Sequence, residues 1–303
     1  MEEKNTTNSK LEDIKRKVFA VNKTSISNKS NSLYIQGLPF TLVTSGSSVE
    51  LYSDVWNCKS IDKTFTVQNM NFIKKIKKYV IDNYVALKFI KVDYKNTEIN
   101  YIDVNNSIIE GQTFEKVCCI DIKNAYWQTA LLMGIIDNEI YNEGLKKDKI
   151  TRLASLGSLA KRKDYYSFDG VRYKHIDTVR SFETENLWFA ICKRVSDVMQ
   201  DLVKLLGDDF IFYWVDGMYF VNTPENREKV SNYLNSCSYE HKPEDVSKIE
   251  FFKDHFLVHS AQGHSSKRFG YTLGKKNRKK KISSLEQKRI LKVANNLLKS
   301  KKK

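Results

Sequence analysis

The most regular hydrophobic pattern in the chain is Trp188, Ile191, Val195, Val198, Leu202 and Leu205. The positions step by three and four residues, which predicts one long amphipathic helix with this stripe as core. Thr184 is placed to cap its start and Gly207 to stop it. A second pattern consists of β-branched and aromatic runs, "KVCCIDI" (Lys116–Ile122) and "DDFIFYWVDGMYFV" (Asp208–Val221). Such runs predict strands buried on both faces. Each carries one conspicuous acid, Asp121 at the end of the first and Asp216 inside the second.

Around these runs the pattern alternates between periods. "NAYWQTALLMGII" follows the first strand and reads as a helix, and "KKDKITRLASLGSLAKRK" as a basic helix. "DYYSFDGVRYKHI" predicts a hairpin turning at Asp169-Gly170. Thr223 and Pro224 open a further helix to about Asn235, and "KIEFF", "HFLVHS" and "KRFGYTL" read as strands. Residues 116–274 therefore predict an α+β domain, a mainly antiparallel sheet with helices packed on one face. Residues 33–115 predict a small α+β region, with "SLYIQ", "FTLVT", "TFTVQ", "ALKFIKVDY" and "EINYIDV" as strands and "NFIKKIKKYVIDNYV" as a helix. Residues 1–32, rich in Asn, Ser, Thr and Lys, read as poorly ordered apart from a short helix around Leu11–Val21. Residues 275–303 read as a basic helical tail opened by Ser283 and Glu286.

Composition is ordinary for a globular protein, 41% hydrophobic and 29% charged. The charge changes the picture. A net charge of +15 points to a polyanionic partner, but the tail holds 13 Lys/Arg against one acid. The rest of the chain is only mildly basic. Cys58, Cys118, Cys119, Cys192 and Cys237 form no CxxC pair and read as reduced core thiols of a cytoplasmic protein. His255, His259 and His264 cluster in sequence without a neighbouring Cys, and ordinary strand and loop positions account for them better than a zinc site. "MEEKNTTNSKLEDIKRK" has no apolar segment of a secretory signal. No stretch reaches the ~18 apolar residues of a membrane span.

Two carboxylates on neighbouring strands of one sheet suit hard cations, with substrate phosphates completing the coordination. Asp121 and Asp216 are thus candidates to hold Mg²⁺ or Mn²⁺, and Lys146, Lys147, Lys149 and Arg152 are candidates to neutralise a triphosphate.

At this point the sequence resembles the palm of family B DNA polymerases. "DIKNAYWQ" is similar to the first palm motif, Asp-x-x-Ser-Leu-Tyr-Pro-Ser. Asp121 falls on its metal-binding Asp, and Tyr126 on the Tyr beneath the incoming sugar. "KITRLASLGSLAKR" resembles the nucleotide-binding helix, with Ser155 on its Ser; sliding by one restores Lys149 and Gly157 instead. "FYWVDGMYF" resembles the third motif, Tyr-x-Asp-Thr-Asp-Ser, with Asp216 on the second Asp and Trp214 and Gly217 as departures. "SKRFGY" is similar to the primer-holding segment and sets Lys267 and Arg268 near the primer. The resemblance spans about residues 116–274 and is strongest to protein-primed phage and plasmid members. It implies a template-directed DNA polymerase of a phage or mobile element, working on primer-template and dNTP. However, only 95 residues separate Asp121 from Asp216, short for family B fingers, and no proofreading motif precedes them.

The same stretches also resemble reverse transcriptase motifs, in which Asp216 is the first Asp of Tyr-x-Asp-Asp and Gly217 replaces the second. Fingers then precede the first motif, within residues 33–115, and RNA becomes the template. A palm that binds nucleic acid without catalysis is the third reading.

Overall fold

The computed structural model describes residues 19–45, 48–60, 66–93, 98–180, 182–261, 263–269 and 273. Their helices and strands form two sheets. The larger is built around β6 (Thr113–Ile122), which holds "KVCCIDI". β10 (Gly217–Val221) and β11 (His241–Phe251) flank it on either side. Outward from β10 lie β9 (Phe210–Trp214) and β5 (Ile102–Val104); outward from β11 lie β12 (His255–Ser260) and β13 (Gly263–Arg268). Every neighbouring pair is antiparallel.

Alternation along β6 sends its side chains into two cores. Cys118, Ile120 and Ile122 join Met218 and Phe220 beneath helix α7 (Phe182–Leu206) and helix α8 (Pro224–Ser236), through Val195, Val198, Leu202, Val230 and Leu234. Val117 and Cys119 face the other way, onto Val246, Ile249, Phe251, Phe256 and Val258. The second core is made mostly by the sheet's own strands, because the sheet curls until β6 and β9 meet β11 and β12. Helices therefore cover one face, as the pattern predicts, and curvature closes much of the other.

The smaller sheet has the order β1-β4-β3-β2-β7-β8. Its strands are β1 (Phe19–Val21), β2 (Phe40–Ser45), β3 (Ser48–Tyr52), β4 (Asn57–Ser60), β7 (Lys163–Phe168) and β8 (Tyr173–Val179). Helix α1 (Lys23–Ile35) packs on it through Ile26 and Leu33, against Leu42, Leu51, Cys58 and Phe168. The remaining helices are α2 (Val67–Asp82), the short α3 (Tyr84–Leu87), α4 (Ala125–Leu132), α5 (Asn138–Leu145) and α6 (Lys149–Gly157). Phe72, Ile76, Trp127, Ile140 and Leu156 pack these helices against Leu187 and Ile191 of α7.

Several expectations are corrected. The hairpin β7–β8 completes the smaller sheet, while β5 and the start of β6 belong to the larger one, so each sheet draws strands from both sides of the boundary at 115/116. Residues 19–32 are ordered: Asn22 caps α1 by accepting from Ser25 N at 2.7 Å, and Ile26 is buried. "SLYIQ" is the last turn of α1, Thr66 of "TFTVQ" caps α2, and "ALKFIKVDY" opens on the last two residues of α3, Ala86 and Leu87, and continues to residue 93 without a strand. Thr184 lies inside α7 and donates to Leu159 O at 2.7 Å instead of capping. Leu206 is buried in place of Leu205, which is 41% exposed. The apolar stripe steps from Leu202 by four residues, not three. The third C-terminal strand ends at Arg268, before "FGYTL". The helix around Leu11–Val21 lies outside the described residues up to residue 18, and the basic tail wholly so.

Candidate active site

Asp121 stands at the end of β6, opposite Gly217 of β10. Strict alternation would put Asp216, one residue before Gly217, on the other face of the sheet. The β9–β10 turn breaks the alternation. Its two connecting residues are Val215 and Asp216, and Val215 has φ 61. A β-branched residue rarely adopts that left-handed conformation, so the turn is strained. Val215 N donates to Tyr101 O, and Asp216 O accepts from Ile122 N at 3.0 Å; together these bonds pin the turn to β5 and β6. Asp216 thereby opens into the same cavity as Asp121. With glycine at 217, only a hydrogen stands beside the Asp121 carboxylate; a Cβ there would sit 3.7 Å from its Oδ1.

The cavity, about 380 Å³, gathers residues from strands and helices distant in sequence. Asp121, Asp216, Tyr126, Lys149, Arg152 and Lys267 all line it. Lys149 is the exposed first residue of α6, whose N-cap Asp148 accepts from Thr151 N at 2.8 Å. Lys267 on β13 lies with its ammonium 5.3 Å from the Trp214 ring centroid, a cation–π distance. Tyr126 on α4 is stacked on Trp188 at 5.7 Å, which fixes its ring as a wall. Arg152 is engaged by protein: it donates from Nη2 to Asn124 Oδ1 at 2.7 Å and from Nη1 to the carbonyls of Gly144 and Lys147. It ties the end of α5 to Asn124, the left-handed residue (φ 49) before α4.

The electrostatics follow from this crowding. Burial, then the neighbouring Asp216 charge, push the Asp121 carboxyl up to about 6; Lys149 and Lys267 pull it back. Burial also raises Asp216, against the pull of Lys149, its own backbone N–H and Lys267. Among the described residues neither carboxylate has an ion pair. Two close acids with no bonded counter-charge form a site that favours a proton or a cation.

Not all of the expected residues converge. Arg268, next to Lys267, points away; it is 81% exposed and lies 3.9 Å from Asp254. Ser155 is buried and donates to Thr151 O at 2.8 Å, so it does not face the cavity. Lys147 rests over the Phe72 ring at 5.6 Å. Asn124, Leu153, Trp214 and Gly217 line the cavity without having been expected to. Asn124 precedes a predicted helix with no visible chemistry, and only its bond to Arg152 reveals its place. Two of the three clustered histidines lie beside acids: His255 Nδ1 is 2.8 Å from Asp254 and His259 Nε2 2.9 Å from Glu250. All five cysteines are unbridged, and four are buried. Among the described residues no helix is long and apolar enough to cross a membrane.

Neither a protein-family model nor a curated protein sequence matches the chain.

Proposed function

We propose that the chain is a template-directed DNA polymerase of the palm type, acting on primer-template DNA and a deoxynucleoside triphosphate. One observation carries the proposal: Asp121, on β6, and Asp216, in the β9–β10 turn, open into one cavity with the cationic Lys149 and Lys267. The donor set suits Mg²⁺ or Mn²⁺, because both acids are raised by burial and neither has an ion partner among the described residues. Mg²⁺ takes one or two carboxylates and completes its shell with phosphate oxygens and water. When bound, such ions make the primer 3′-hydroxyl a better nucleophile and stabilise the leaving pyrophosphate.

The chain's own residues do the rest. Asp121 and Asp216 would hold the cations. Lys149, at the start of α6, and Lys267, on β13, would draw the triphosphate and the primer phosphates into the cavity. Tyr126, fixed on Trp188, would wall the sugar position. Arg152 and Asn124 would keep α4, which carries Tyr126, in register with α6. In the reaction the primer O3′ forms a bond to the α-phosphorus and the bond to pyrophosphate breaks. The hydroxyl proton leaves to solvent or a phosphate oxygen.

A specific observation favours a second reading, a reverse transcriptase-like palm. Four strands of the smaller sheet precede β6, where such an enzyme carries its fingers, and Asp216 sits in the turn with Gly217 at the second-Asp position. Primer extension with Mg²⁺ or Mn²⁺ on matched DNA and RNA templates separates the readings. Extension on DNA, lost in Asp216→Ala, is the expected result; equal or better extension on RNA selects the second reading. Tight binding without extension selects a non-catalytic palm, and extension that survives Asp216→Ala overturns the mechanism.

A further inference from the structure

The smaller sheet has a face that the cavity does not use. Across β4, β3, β2 and β7 the register sets Lys59, Glu50, Val43 and Tyr165 in one row. By alternation Tyr52 and Lys163 share that face, while the opposite face packs on α1. Two more lysines border the row: Lys161, just before β7, and Lys77 on α2. Lys59, Lys163 and Lys77 lie close enough to Lys161 to push its ammonium pKa down, after the larger effect of burial. None of these residues lines the cavity of Asp121 and Asp216.

The cluster is short of acid. Lys59 pairs with Glu50 at 2.6 Å, and Glu50 also accepts from the Tyr52 hydroxyl at 2.7 Å. Lys77, Lys161 and Lys163 have no ion-pair partner among the described residues. Two other lysines of α2 are paired, Lys75 with Glu143 and Lys78 with Asp82. Asp177 of β8, opposite Tyr165, is the remaining acid of the row. Four ammonium groups gathered around Glu50 and Asp177 repel one another, and a polyanion relieves that repulsion. Lys59, Lys161 and Lys163 keep solvent-exposed surface, Lys161 even though protein packed around its ammonium desolvates it, so a strand can reach them. Tyr52 and Tyr165 stand between the lysines, as in surfaces that combine a basic track with aromatic rings for unpaired bases.

We propose that this face binds the phosphate backbone of a single-stranded nucleic acid, at a site separate from the cavity and independent of whether the cavity catalyses transfer.

Lysine acetylation of the full-length protein, with and without a 20-nucleotide oligo-dT, tests it directly by mass spectrometry. Lys161 and Lys163 should be protected several-fold, while Lys204, 76% exposed on α7, keeps its reactivity. In fluorescence anisotropy the double variant K161Q/K163Q should bind the same oligonucleotide about tenfold more weakly, with a salt slope smaller by about 1.4, since each phosphate contact contributes about 0.7 for single strands. Its melting temperature should not fall, because the change removes repulsion. Unprotected Lys161 and Lys163, or an unchanged salt slope, overturns the proposal. Equal protection by a duplex of the same length overturns the single-strand assignment. D121N/D216N should lose transfer yet keep the protection, so failure at the cavity is read separately from failure here.

Discussion

Asp121 and Asp216 carry charge where the fold disfavours it. Burial and the neighbouring Asp216 charge raise the Asp121 carboxyl to about 6, and Lys149 and Lys267 oppose that shift. If the pair exists to bind cations, D121N and D216N should each lower the transfer rate by about a thousandfold or more, some 4 kcal/mol of barrier. Single-turnover primer extension measures this, and a loss below tenfold in either variant removes the role. The raised pKa also sets a stability profile. Because the folded value lies above the unfolded one, protonated Asp121 stabilises the metal-free fold; that contribution is complete at acid pH and is lost as pH rises through about 6. Metal-free D121N should therefore melt above wild type at pH 8, with the gap closing as pH falls through 6. Mn²⁺ should raise the wild-type melting temperature at pH 8 and progressively less below 6, where protons compete for the same oxygens. Val215 is the third residue of this group. Its positive φ aims Asp216, so V215G should leave thermal stability at or above wild type while slowing transfer; a normal rate would show that the strained turn does not serve the site.

At the scale of elements, α4 and α6 line the cavity that holds the two acids, and α5 joins them. Their junction rests on Arg152, which reaches Asn124 and the carbonyls ending α5, and on Trp127, which donates to Tyr141 O at 3.2 Å. Gly144 lies under the Trp127 ring, and a Cβ there would come within 2.2 Å of it. G144A should therefore cost about 2 kcal/mol or more through overpacking. Urea unfolding measures that cost, and a neutral result would mean that Trp127 shifts freely. Elements were legible where burial imposes a pattern. β6 and β9 are covered on both faces and read as apolar runs, and the stripe of α7 reads at helical spacing up to Leu202. β3, β4 and α1 were not legible, because few of their buried positions are apolar: Leu51 in β3, Cys58 beside buried Asn57 and Ser60 in β4, Ile26 and Leu33 in α1. Such half-buried pieces are specified by their partners, and local sequence does not name the partners.

At the scale of the molecule, two sheets are interleaved in sequence, with β7 and β8 returning to a sheet begun before β6. Positive charge is concentrated at one end of the chain, where residues 275–303 hold 13 Lys/Arg. If that segment contacts phosphate, a variant lacking it should bind nucleic acid with a salt slope smaller by several units, at about 0.7 to 0.9 per contact. Anisotropy across a salt series tests this; an unchanged slope would assign the segment to another partner.

The sequence by itself determined the strand that ends near Asp121, the long helix and the mixed α+β class, because apolar periodicity is a local consequence of burial; the second apolar run, read as one strand, is the β9–β10 hairpin with Asp216 in its turn. It also named six of the residues that line the cavity, Asp121, Tyr126, Lys149, Arg152, Asp216 and Lys267. Tertiary structure alone decided that these six share one space and that Arg268 is turned away from it. It also decided that Asp216 escapes the face alternation would give it, and that lysines from β4, α2 and β7 gather on one sheet face. Each of those outcomes depends on register, sheet curvature or one strained turn, which are set by contacts between segments far apart in the chain.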